Sequence, residues 1–187
     1  MPPKVKVSRE EILQAATALV RQSGADALGA RTLASVLNCS TQPIFSNFAT
    51  MEELRLAVVA EAERLCGAYI QAEIGRGAFP AYKASGMAYI RFAGEEKELF
   101  KLLYMRNRSN EAVPPSDALG TQMETLVQQN TGLDEQESKL FHLEMWAFVH
   151  GIAVMNATRF VELDSALISR MLTDAYLGLR KQYGKEG

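Results

Sequence analysis

The chain is poor in the residues that staple or anchor proteins. Only two cysteines, Cys39 and Cys66, stand among 187 residues. They show no pairing pattern, which excludes a disulfide scaffold and points to a reducing compartment. Long apolar runs are missing as well: the longest uncharged stretch of the second half, 145–158, has 14 residues, against the roughly 20 that a membrane helix needs. The opening MPPKVKVSRE lacks the apolar core of a secretory signal. The expectation is a cytoplasmic protein with no membrane contact. Neither sign of charge dominates, with 20 Lys and Arg against 22 Asp and Glu, and a hydrophobic content of 48% excludes a disordered or collagen-like chain. There is no internal repeat and no low-complexity tract.

Catalytic and metal-binding patterns are equally thin. The sequence holds no Gly-rich phosphate loop, no HExxH pair and no GxSxG elbow. Its acidic residues fall mostly at helix starts or on exposed faces, and neither cysteine has a histidine nearby in sequence. His142 and His150, eight apart on one helix, stand about 12 Å from each other at about 1.5 Å per residue, too far for one metal ion. A nucleophile, base and orienter therefore have no place to converge. The chain is expected to be no enzyme and to carry neither cofactor nor metal.

What is present is helical periodicity. Apolar residues recur at three and four almost everywhere, and no run of Val, Ile or Thr alternates long enough for a strand, so the fold class is all-α. Ser8 and Glu11 form a capping box ahead of a first helix whose stripe is Ile12, Ala15, Ala16, Leu19 and Val20, ending near Ser23-Gly24 in a left-handed cap. Short helices follow at about 30–37 and 41–47, separated by Asn38-Cys39-Ser40. Asn38 suits a left-handed turn, Ser40 is placed to cap the next helix, and Pro43 falls in its first turn. Thr50 and Glu53 make a second capping box for a long helix to about residue 74, with Leu54, Val58, Ala62, Leu65 and Tyr69 inward. Further helices are expected at 80–94, 96–106, 116–130, 134–158 and 164–183, nine in all, with a break at Val113-Pro114-Pro115 among others.

Charge divides unevenly along this plan. Residues 1–50 hold five basic and three acidic groups, net +2, leaving −4 for the remainder. A small end that tolerates a polyanion and a larger end with another task follow from that asymmetry. Two short helices joined by a three-residue turn, behind a third helix, have the layout of a helix-turn-helix unit. Residues 1–50 are therefore the expected DNA-binding domain, the helix at about 50–74 the connector, and 51–187 the larger helical domain.

Several residues in fixed order carry a family resemblance. Arg9-x-x-Ile12-Leu13-x-Ala15-Ala16, then Leu33-Ala34-x-x-x-Asn38-Cys39-Ser40-x-x-x-Ile44-Phe45-x-Asn47-Phe48, then Glu52-x-Leu54 resemble the amino-terminal domain of TetR-like transcriptional repressors. The resemblance covers about residues 8–60. It implies a homodimer whose third helices enter successive major grooves of a pseudo-palindromic double-stranded operator, with a carboxy-terminal domain that binds an inducer. On this carry-over Thr41, Gln42 and Ser46 face base edges, Gln being able to bridge adenine, while Arg31 and Asn47 meet phosphates. Lys4, Lys6 and Arg9 make a basic arm that either follows the backbone or minor groove or is a solvated terminus. Ile44, Phe45 and Phe48 are taken to hold the helix on its own core, for Phe45 in preference to a DNA contact.

The chain departs from the family where glycine gives way to Asn38, tyrosine to Phe45, histidine or tyrosine to Asn47, and lysine to Met51. The tyrosine and lysine positions usually meet phosphates, so weaker or less salt-sensitive DNA binding is expected. An alternative function follows: a dimeric helical sensor or protein-interaction module with weakened DNA binding.

Beyond position 50 lie 13 of the 15 aromatic residues. Met87, Tyr89, Phe92, Phe100, Leu103, Tyr104, Met123, His142, Trp146, His150 and Met155 are candidates to line an apolar ligand pocket, each with an ordinary core role as the competing reading. His142, Trp146 and His150 share one helix face, and a neutral His150 hydrogen-bonded in the core is preferred to a ligand contact. The helix after Met145 is apolar nearly all round and requires cover on both sides. The last helix carries Leu167, Ile168, Met171, Leu172, Ala175, Tyr176 and Leu179, enough for its own domain and a twofold mate. Trp146-Ala147-Phe148-Val149-His150-Gly151 resembles a Trp-x-x-x-His-Gly signature of one subset of these regulators.

Overall fold

In the computed structural model, which describes residues 7–106 and 118–184, nine α-helices follow one another with no strand among the described residues. They are α1 (Arg9–Ser23), α2 (Ala30–Val36), α3 (Gln42–Asn47), α4 (Met51–Arg76), α5 (Ala81–Glu95), α6 (Lys97–Tyr104), α7 (Ala118–Thr131), α8 (Glu135–Thr158) and α9 (Ser165–Tyr183), with a short 3-10 turn at Ala25–Ala27. The sequence periods carry no sign of that turn. The Val113-Pro114-Pro115 break lies outside the described residues, as do Lys4 and Lys6.

Local chemistry explains most of the boundaries. The Glu11 amide donates to Ser8 Oγ at 3.2 Å and the Ser8 amide to the Glu11 carboxylate at 2.7 Å, completing the capping box of α1. The Ser8 amide first, and its hydroxyl second, donating at 2.8 Å, hold the Glu11 carboxyl below its usual range. Gly24 ends α1 at φ 81°, though its ψ of 168° is extended rather than left-handed helical. Asn38 does take the left-handed turn, at φ 50°.

Two caps differ from expectation. Thr41, not Ser40, is the N-cap of α3, and it makes no side-chain cap bond. Pro43 supplies the reason: lacking an amide hydrogen, it removes one of the donors that a cap would serve. At α4, Thr50 Oγ1 accepts from the Glu53 amide at 3.0 Å, but the Glu53 carboxylate accepts from Ala49 at 2.7 Å, one residue further back than a capping box.

The helices form two compact units. One runs from the amino terminus to Leu65 and includes the stretch beginning at Glu96; the other takes Cys66–Glu95 and everything from α7 onward. The first unit thus holds the first part of α4 and all of α6. There α6 packs on α1, burying Leu99, Phe100, Leu102 and Leu103, while Ile12, Ala16 and Val20 form the buried stripe of α1. Arg21 joins Glu96 at 2.6 Å.

In the second unit α5 is paired chiefly with α8. Tyr82 meets His142, Tyr89 meets His150, and Asn156 reaches the Ile90 carbonyl, so the two helices run in the same direction. Gly86 lies under Leu172 and Val149, and a Cβ there would come within 3.2 Å of Leu172. The core gathers Tyr82, Met123, Val127, Phe141 and Met145. The Phe141 ring meets Tyr176 edge-on at 5.4 Å.

Candidate functional site

The first unit presents the short helix α3 on a buried foot. Ile44 and Phe48 are fully buried and hold α3 down, while Gln42, Phe45 and Ser46, at i, i+3 and i+4, are exposed together. Phe45 is 48% exposed and so is not a core residue, contrary to its sequence reading. A six-residue helix buries one turn's worth of side chains, and Ile44 and Phe48 fill it. The Ser46 hydroxyl donates to the Gln42 carbonyl at 2.9 Å. Thr41 is half-buried at the helix start, and Arg31 is exposed in the first turn of α2.

Asn47 and Arg9 have internal work instead. Asn47 Nδ2 donates to the Pro43 carbonyl at 2.8 Å and to the Val7 carbonyl at 3.3 Å, which occupies both amide hydrogens and argues against a phosphate contact. Arg9 is not part of a loose arm. Its guanidinium lies over the Phe48 ring, 3.8 Å from the centroid, pairs with Glu53 at 2.9 Å and donates to the Asn47 carbonyl. The Ala49 amide first, and Arg9 second, hold the Glu53 carboxyl below its ordinary range.

The second unit carries a groove of about 440 Å³ lined by Gly120, Thr121 and Glu124 of α7 and by Lys139, His142, Leu143 and Trp146 of α8. Trp146 and Leu143 give it apolar walls; Glu124 and Lys139 add charges of both signs. Beneath it His142 Nδ1 shares a 3.0 Å hydrogen bond with the Tyr82 hydroxyl, whose pKa burial pushes up. Farther along, His150 Nδ1 shares one of 2.9 Å with Tyr89. The Trp146 ring stacks on His150 at 4.9 Å and 18°. Burial holds the His150 pKa below its usual value, so the ring is neutral at neutral pH.

Of the expected pocket residues, His142 and Trp146 alone line this groove. Tyr89, Phe92 and Met123 are buried, and Met87, His150 and Met155 half-buried, within the same unit. Phe100, Leu103 and Tyr104 belong to the first unit, where Phe100 and Leu103 are buried. Sequence reasoning missed Gly120, Thr121, Glu124, Lys139 and Leu143. Their signal was a shared face: 120, 121 and 124 on one helix, and 139, 142, 143 and 146 on the other, are spaced by helical turns. No group of three metal-ligating side chains comes together among the described residues. No described helix is long and apolar enough to cross a membrane.

A three-helix helix-turn-helix unit followed by a second, larger helical unit defines a helix-turn-helix protein of the two-part kind. A model of the tetracyclin repressor-like carboxy-terminal domain matches residues 82–175. The chain belongs to this TetR family, whose members are transcriptional regulators and not enzymes. Solved structures share the fold. A TetR-like transcriptional regulator from Rhodococcus sp. RHA1 is 18% identical, with 99% of this chain and 100% of that one covered at a TM-score of 0.69. A second Rhodococcus sp. RHA1 protein, of unknown function, is 19% identical over 95% of this chain and 98% of its own, TM-score 0.74. A TetR family member from Streptomyces coelicolor A3 is 19% identical over 90% and 98%, TM-score 0.68. No curated protein sequence matches the chain.

Proposed function

We propose that the chain is a cytoplasmic, ligand-responsive repressor that binds a palindromic double-stranded operator as a homodimer and is released from it by a small apolar ligand. The observation that carries this reading is the α3 surface, where Gln42, Phe45 and Ser46 stand exposed on a helix anchored by Ile44 and Phe48. Residues 1–50 supply the DNA-binding domain, with Gln42, Thr41 and Ser46 toward base edges and Arg31 toward phosphate; residues 51–187 supply ligand binding and dimerisation.

Dimerisation has its own support. Leu140 and Phe148 on α8 and Leu167 and Leu177 on α9 are exposed, Leu140 at 50% and Leu177 at 54%. The cover that α8 requires on both sides is therefore absent in a single chain, and a twofold mate placing two helices from each protomer together supplies it. The α7–α8 groove, with Trp146 and Leu143 in its walls, is the ligand site of this proposal. Its volume lies within the range of small-molecule sites.

The mechanism is a population shift. Helix α4 begins in the first unit and ends in the second. A ligand that binds better to a non-DNA-binding arrangement tilts α4 and moves the two recognition helices away from the separation of about 34–36 Å that successive major grooves demand. Changing Gln42 to Ala is expected to weaken specific DNA binding by about 1–3 kcal/mol with the circular dichroism unchanged. Full affinity in that variant would remove Gln42 from the interface.

A second reading, a dimeric sensor acting through a protein partner, is favoured by one observation: Arg9 is committed to Phe48, Glu53 and Asn47, and Phe45 brings no hydroxyl to a phosphate. Uniform weak binding to all DNA would support it.

A further inference from the structure

The reading surface of α3 is unusual in what it offers. Ser46 turns its hydroxyl onto the Gln42 carbonyl at 2.9 Å, and Asn47 turns its amide inward to Pro43 and Val7. The exposed face therefore presents the Gln42 amide, the Ser46 hydroxyl oxygen as an acceptor and, three residues after Gln42, the Phe45 ring, 48% exposed. A phenyl ring cannot bond a phosphate. On the floor of a major groove the hydrogen-bonding edges of the bases are closed to it too. The one apolar feature that a base pair displays there is the 5-methyl group of thymine.

We propose that Phe45 is a specificity-determining residue that packs on a thymine 5-methyl group beside the base bonded by Gln42. This rests on the DNA-binding reading of α3. Removing the exposed ring surface from water against a methyl group gains about what burying one methylene gains, which corresponds to about fourfold in affinity for each half-site. Phe45 thereby makes a contact that specifies sequence, and it does so through a group that carries no charge and leaves the salt dependence unchanged.

The test begins with full-length protein and a random-sequence duplex library, from which bound duplexes are selected in the presence of nonspecific competitor. Each thymine of the selected site is then replaced by deoxyuridine, which removes the methyl and nothing else. Wild-type protein is expected to lose about fourfold at one thymine per half-site. Phe45→Ala is expected to bind the thymine and deoxyuridine duplexes equally, and Phe45→Leu, which restores an apolar group, to regain part of the discrimination. Circular dichroism checks that both variants stay folded. Indifference of the wild type to every deoxyuridine, or the same penalty in Phe45→Ala, would overturn the assignment while leaving DNA binding intact. Failure of the folded wild-type protein to select any duplex would instead overturn the DNA-binding reading and this inference with it, leaving the exposed ring to a protein partner.

Discussion

Phe45 and Phe48 lie three residues apart and are given opposite tasks, so truncating each to alanine separates packing from recognition. The Phe48 ring is 1% exposed and lies under the Arg9 guanidinium at 3.8 Å. Its removal costs the transfer of a buried ring and leaves a cavity, about 3–5 kcal/mol in comparable cores, with about 0.5–1 kcal/mol more for the lost cation–π contact. Phe45 has half its surface in water already. Full burial of such a ring stabilises by about 1.5–3 kcal/mol, so its loss should cost about 1 kcal/mol. Against a total of about 5–15 kcal/mol for a folded domain, the first change threatens the unit and the second does not. Urea unfolding followed by circular dichroism measures both. The lone tryptophan, Trp146, sits in the second unit, so its fluorescence follows that unit and serves as the internal control. Equal costs for the two variants would mean that Phe45 is packed as Phe48 is, and would remove it from the exposed face.

Three other outcomes are expected. Arg31→Ala should flatten the dependence of log affinity on log salt by about 1.8, the loss of one phosphate contact in each protomer of the dimer, whereas Arg9→Ala should lower stability in thermal unfolding and leave the slope where it was. Leu140→Glu combined with Leu177→Glu should give a folded monomer by light scattering; a persistent dimer would place the interface elsewhere. Because burial depresses the His150 pKa, the unfolded chain takes up a proton there before the folded one does. Stability should then be complete above about pH 6.5 and decline as pH falls from there through the lowered folded value. His150→Asn should remove that part of the decline, as measured by unfolding free energies at pH 7.5 and 5.5.

Features written in contiguous residues were legible in the sequence. The capping box of Ser8 and Glu11 and the left-handed Asn38 depend on neighbours a few positions away, and the turn residues alone specify them. Features that depend on distant partners were not. Phe45 and Phe48 have the same side chain, and only the limited area beneath a six-residue helix decides which of them is buried. Helix α6 has a sharp apolar stripe that demands cover, but nothing in the stripe says that the cover is α1, which places Phe100 and Leu103 in the first unit. The groove needed α7 and α8 to be aligned before Glu124 and Lys139 could be seen near Trp146, and the Tyr82 partner of His142 is 60 residues away in sequence.

The proposed function stands or falls with DNA recognition by α3. A fluorescence-anisotropy titration of the full-length protein against duplexes spanning the DNA that flanks its own gene, at two salt concentrations with nonspecific duplex as competitor, tests it most directly. Tight binding to one short palindrome, weakened by salt and resistant to the competitor, is expected. Binding to every duplex alike, abolished by the competitor, would contradict it.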